Sequence, residues 1–147
     1  NIKSLYYTTM NIIELSNDFC QNYLACIRRA SNLLNITHTQ AMCLQTIPFR
    51  GISQAELAKK LNIDISTLSR NLDKLIKLQL VNKKSSVSDK RSFNISLTDN
   101  GQQVYSKFNE IISEELEKVY DTLDLEEKDQ FETILNKINW QLELLSK

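Results

Sequence analysis

Between Asp64 and Leu80 the sequence reads DISTLSRNLDKLIKLQL, and its polar residues could do more than keep a helix wet. Arg70 can present paired N–H donors to the acceptor edge of guanine, and Asn71 a donor–acceptor pair to adenine. Ser66 and Thr67 are short, so a backbone carrying them can approach a duplex closely, and Lys74 and Lys77 supply cations for phosphate. At about 100° per residue, Ser66, Arg70, Lys74 and Lys77 fall on one face with Thr67 and Asn71 flanking, while Ile65, Leu68, Leu72, Leu75 and Ile76 fall opposite. Solvated helix faces commonly mix Glu with Lys; here only Asp73 stands near the edge of the polar face. Ser and Thr, mediocre helix formers, crowd the first turn, where the side chains of a groove-reading helix meet base edges.

Such a helix needs a scaffold to aim it. From about Ser4 to Leu34 the residues Ile12, Leu15, Phe19, Tyr23, Ile27, Ala30 and Leu34 recur at three- and four-residue steps, which predicts one long amphipathic helix with a stripe it cannot bury alone. Thr37-x-x-Gln40 has the form of a capping box opening a second helix, which Pro48 and Gly51 end. Ser53-x-x-Glu56 opens a short third helix, SQAELAKKL; a tight turn, NID, follows, and Asp64 caps the polar helix. After Leu80 the period changes. Residues 80–84 and 91–97 read as two strands around a polar hairpin loop, SSVSDK. Thr98 and Asp124 then cap two long helices with continuous apolar stripes. This order predicts a mainly α fold, a winged helix-turn-helix over residues 37–98 with a two-stranded β-hairpin wing, flanked by long N- and C-terminal helices over 1–36 and 99–147, in one compact unit.

The wing carries its own cations. Lys90 and Arg91 at the loop tip, with Lys83 and Lys84 on the preceding strand, can meet flanking phosphates or place an arginine in a narrow minor groove, and Asp89 can orient Arg91 through a local ion pair. The formal net charge is zero, but its distribution is uneven. Residues 53–97 hold nine Lys/Arg against four Asp/Glu, whereas residues 98–147 hold five against twelve. A basic centre and an acidic end suit a chain whose middle meets phosphate.

Composition removes other classes. Two glycines and one proline leave few turns for a sandwich or barrel and none for a Gly-rich phosphate loop. A single histidine, no nucleophile elbow and no H-E-x-x-H leave no constellation for catalysis, so no enzyme and no cofactor are expected. Three cysteines without regular spacing make no disulfide framework, and no apolar run marks a leader or a membrane span, so a reduced, cytoplasmic protein is expected.

Taken in order, THTQ, SQAELAKKL, DISTLSRNLDKL, the LV-x-K of Leu80 to Lys83, Asp89-x-Arg91, and the LT-x-x-G of Leu97, Thr98 and Gly101 resemble the MarR family of transcriptional regulators. The resemblance implies a homodimer built from the terminal helices, with two recognition helices in successive major grooves of a palindromic operator. It places Ser66, Thr67, Ser69, Arg70 and Lys74 toward the major groove and Arg91, held by Asp89, toward the minor groove. It also implies repression and release by a small, often aromatic effector between the DNA-binding lobe and the dimer helices, where Arg28, Arg29 and Tyr105 are candidate pocket residues. One departure is Gln79, where the family commonly has the glycine that ends the recognition helix; a left-handed cap there would cost about 1 kcal/mol.

Two rival readings remain at this level. A winged helix can serve protein contacts alone, as a scaffold. A redox-sensing regulator is the other, through Cys20, Cys26 or Cys43. Cys20 and Cys26 are about 9 Å apart along one helix, too far for a mutual disulfide. The position of the family's oxidant-sensing cysteine is Ile13 here, and the position beside Thr37 that supplies its partner is His38. The cysteines therefore read as small buried apolar residues. The family's zinc-responsive branch places histidines in the segment that here reads VYSKFNEIISEE, which has none, so no metal is expected.

Overall fold

The computed structural model describes residues 11–85 and 93–145, so the wing-tip residues Asp89, Lys90 and Arg91 lie outside it. The chain divides into two units, residues 1–112 and 113–147. In order, the elements are α1 (Ile12–Leu33), α2 (His38–Thr46), β1 (Ile52–Ser53), α3 (Gln54–Leu61), α4 (Ile65–Lys77), β2 (Val81–Ser85), β3 (Phe93–Leu97), α5 (Asp99–Tyr120) and α6 (Leu125–Leu145). No helix among the described residues is long and apolar enough to cross a membrane.

The caps follow the sequence closely because each is a local competition for free backbone amides. Thr37 and Gln40 form a complete capping box on α2, with the Gln40 amide donating to Thr37 Oγ1 at 3.2 Å and the Thr37 amide to Gln40 Oε1 at 2.8 Å. Ser53 accepts from the Glu56 amide on α3, and Asp124 and Glu127 make a reciprocal pair at the start of α6. The first helix begins at Ile12, where Asn11 is extended and its side chain accepts from the Ile13 amide, and the expected stretch from Ser4 to Met10 lies outside the described residues.

The sheet differs from expectation. The expected two-stranded hairpin is joined by β1, giving an antiparallel sheet in the order β1-β3-β2. Ser53 must take extended backbone to cap α3, and this carries Ile52 alongside β3, where it pairs with Ile95 and both are buried. Across β3, Val81 pairs with Leu97 and Lys83 with Ile95.

The core of the first unit collects Ile27 and Ala30 from α1, Cys43 and Leu44 from α2, Leu57 from α3, Leu68, Leu72 and Leu75 from α4, and Phe108 and Ile112 from α5. The first half of α1 leaves Ile12, Leu15, Phe19 and Tyr23 exposed. In the second unit α6 buries no residue, and Ile134, Ile138, Trp140 and Leu142 are exposed.

Between α4 and β2 the chain turns through Gln79 at φ +57°, the left-handed conformation that glycine commonly supplies. The Leu80 amide donates to Leu75 O and the Gln79 amide to Ile76 O, both at 2.9 Å, which is the Schellman pattern. Gly101 packs against this turn so tightly that a Cβ there would lie 1.9 Å from Leu80 O. Gly101→Ala should therefore lower the unfolding free energy by about 2 kcal/mol or more, whereas Gln79→Gly should raise it by about 0.5–1 kcal/mol, both read from urea titrations.

Candidate nucleic-acid interface

Two helices and a tight turn build this surface. Helix α3 ends at Asn62, left-handed at φ +52°, and the Ile63 amide returns to Ala58 O, so α4 starts across α3 after a short connection. The roll of α4 is fixed from both sides. Leu68, Leu72 and Leu75 are completely buried beneath it, and the side chain of buried Gln54, first residue of α3, donates to Ser69 Oγ at 2.7 Å.

What that roll presents outward is Ser66, Arg70, Lys74 and Lys77, all exposed, with Thr67, Ser69 and Asn71 half-buried at the margins and Asp73 also exposed. The structure thus brings together all seven residues expected on this face. Arg70, Lys74 and Lys77 make no ion pair with any described residue. Lys74 and Lys77 stand in the last turn and also complement the helix dipole, but Arg70, in mid-helix, gains nothing of that kind. Two isoleucines depart from expectation. Ile65 and Ile76 were placed on the buried face, yet they are 55% and 37% exposed, because burial here is confined to the sector of the three leucines and both isoleucines lie at its rim.

The first turn has a feature that residue types alone did not disclose. The Asp64 carboxylate accepts from the Thr67 amide at 2.8 Å, from Thr67 Oγ1 at 2.7 Å and from Ser66 Oγ. Side-chain hydrogen bonds from Ser66 and then Thr67, followed by the Thr67 amide, hold the Asp64 carboxyl well below the usual carboxylate range. With their protons committed to Asp64, the Ser66 and Thr67 oxygens can take part in a further hydrogen bond only as acceptors, whereas Ser69, which accepts from Gln54, keeps its proton to donate.

Beside α4 a recess of about 380 Å³ is lined by Ser53, Gln54, Ala55, Ile65, Ser69, Lys83 and Phe93. Lys83 Nζ lies 4.5 Å from the centroid of the Phe93 ring, a cation–π arrangement that steadies this cation at the base of the wing. A shallower recess of about 520 Å³ on α5 is lined by Asp99, Gln102, Gln103, Ser106, Lys107 and Glu110. Neither includes the expected effector residues. Arg28 and Arg29 are exposed, Arg29 Nη2 donating to Cys26 Sγ at 3.2 Å, and Tyr105 is half-buried.

The cysteines divide. Cys43 is buried and desolvation pushes its thiol up to about 11, so it stays protonated at neutral pH. Cys26 is half-buried, and Cys20 is exposed, contrary to the reading of all three as buried, because the first half of α1 packs against none of the described core.

Residues 36–93 match the sequence model described as the MarR family. Over those residues the chain resembles the MarR family. Among relatives, the HTH-type transcriptional regulator BilQ of Clostridium symbiosum (strain WAL-14163) is 32% identical over 88 residues, a match spanning 60% of this chain and 61% of the relative. Among solved structures, a MarR protein from Peptoclostridium difficile DA00132 is 25% identical with a TM-score of 0.80, covering 94% of this chain and 91% of that one. The MepR–DNA complex of S. aureus shares the fold at 23% identity and a TM-score of 0.75, covering 90% and 98%. The winged helix of this chain thus has the same architecture as those structures.

The depressed Asp64 carboxyl gives a pH expectation. Its contribution to helix start is fully present above the unfolded carboxylate value near about 3.9 and is lost only as pH falls through the lower folded value. The Thr67 amide resonance should therefore stay fixed from pH 8 to pH 5 and move only in stronger acid, while Asp64→Ala should shift it at every pH.

Proposed function

We propose that this protein is a sequence-specific regulator of transcription that binds a palindromic duplex operator as a homodimer and acts as a repressor. The observation that carries the reading is the outward face of α4. It holds arginine, lysines and short hydroxyl side chains without an ion-pairing partner among the described residues, opposite three completely buried leucines. Arg70 is assigned to a guanine edge and Asn71 to an adenine edge in the major groove, with Ser66 and Thr67 accepting from base amino groups. Ser69, Lys74 and Lys77 meet phosphate, and Lys90 and Arg91, oriented by Asp89, serve the flanking minor groove.

Dimerisation is supported by the apolar stripes that each unit leaves uncovered, on the first half of α1 and along α6. An isologous interface lets two copies cover these stripes together. Release by a small aromatic effector at Arg28, Arg29 and Tyr105 rests on the family resemblance alone. That the related MepR has been seen with DNA favours the same ligand here over a scaffold that touches only protein.

Fluorescence anisotropy with the duplex upstream of the gene tests this reading. Arg70→Ala should weaken specific binding about tenfold to a hundredfold and relax preference at one position of each half-site, while Lys74→Ala should reduce the salt slope by about 1 across all sequences. Binding that is indifferent to both changes and flat against salt concentration would favour the scaffold.

A further inference from the structure

The wing leaves the recognition helix at one knot of hydrogen bonds, and a single side chain sits at its centre. Thr98 Oγ1 donates to Gln79 O at 2.6 Å and accepts from the Gly101 amide at 2.9 Å. The Thr98 amide donates to Leu80 O at 3.1 Å. Gln79 is held left-handed at φ +57°, and the bare Cα of Gly101 lets Leu80 O lie against the first turn of α5. One residue on, β2 begins, and its first pair, Val81 with Leu97, adjoins Thr98 in the chain. The end of α4, both strands of the wing at their base and the start of α5 therefore meet around one hydroxyl.

We infer that Thr98 is a positioning residue for DNA recognition: through Gln79 O it fixes the angle between the recognition helix and the wing, so that both reach their grooves at once. An ordinary N-cap only accepts, from the amides of its own helix. Thr98 also donates backward across the turn, so its one proton is committed to Gln79 O while a lone pair accepts from the Gly101 amide. Gln79 makes the donation consequential. A non-glycine residue at positive φ is under strain and would relax toward another conformation unless its neighbours hold it; here the Gln79 and Leu80 amides hold it from the helix side and Thr98 holds its carbonyl from the α5 side. Relaxation at Gln79 would swing β2 and the wing while leaving the leucine-anchored body of α4 in place.

This inference rests on the DNA-binding reading for its consequence but not for its geometry, and three variants separate the two. Thr98→Ser keeps both hydrogen bonds. Thr98→Val loses both. Thr98→Asp keeps the cap, since an ionised carboxylate accepts from Gly101, but has no proton for Gln79 O. Amide hydrogen exchange without DNA reads the geometry. Thr98→Asp should speed exchange at Gln79 and Leu80 at least tenfold while Gln102 and Gln103 on α5 stay protected, and unchanged rates would overturn the inference whatever DNA does. Footprints on the operator read the consequence. Wild type and Thr98→Ser should protect guanine N7 in the major grooves from methylation and the flanking minor-groove sugars from hydroxyl radicals. Thr98→Asp and Thr98→Val should keep the first protection and lose the second. Minor-groove protection retained by Thr98→Asp would reduce Thr98 to a helix cap, and loss of both protections in Thr98→Asp would equally overturn its selective role. A wild-type protein giving neither footprint would instead sink the DNA-binding reading, with the exchange result still deciding the latch.

Discussion

The complete burial of Leu68, Leu72 and Leu75 is the constraint on which the candidate site depends. Residues at steps of four and three lie on one side of a helix, and sealing that side against the core sets the rotation of α4 about its axis. Once the rotation is set, the outward direction of Ser66, Arg70, Lys74 and Lys77 follows from helix geometry alone. The Gln54–Ser69 hydrogen bond reinforces it by tying the helix to the start of α3. A surface charge distribution is easily changed by mutation, but its aim is not, because turning the helix would expose three leucines.

Both ends of α4 are held more firmly than a surface helix requires. At the N-terminus one carboxylate gathers an amide and two hydroxyls, which fixes rotamers that would otherwise be free and limits what Ser66 and Thr67 can offer a ligand. At the C-terminus a strained glutamine replaces the easier glycine and is clamped by Thr98. Fixing a flexible side chain beforehand removes part of the entropic cost of binding, and a helix anchored at base and both ends is suited to reading a rigid partner.

The legible parts of the fold were the ones governed by local chemistry. Thr37, Ser53, Asp64, Thr98 and Asp124 announce helix starts because a short polar side chain competes for amides within three residues of itself. Six residues of the polar face of α4 were legible for the same reason, as a periodicity of adjacent residues, and Ser69 from the family resemblance. The left-handed Gln79 was harder to read: glutamine in place of the family's glycine suggested a different helix end, yet the left-handed cap is kept. Exposure was less legible. Ile65, Ile76 and Cys20 are apolar or small, yet exposed, because burial depends on how wide a sector the neighbouring elements cover, and no single helix encodes that. The β1 strand escaped notice because two residues show no alternation; its pairing with β3 comes from a contact more than forty positions away in the chain.

The sequence by itself determined the order of elements, their caps, and the chemistry gathered on one face of the fourth helix, since each depends on residues within a turn or two of one another. Only the tertiary structure decided that Ser69 keeps a proton to donate, which apolar side chains remain uncovered, and which groups meet at Thr98. Those properties are set by groups far apart in the chain, such as Gln54 with Ser69 and Gln79 with Thr98, whose meeting is a result of packing.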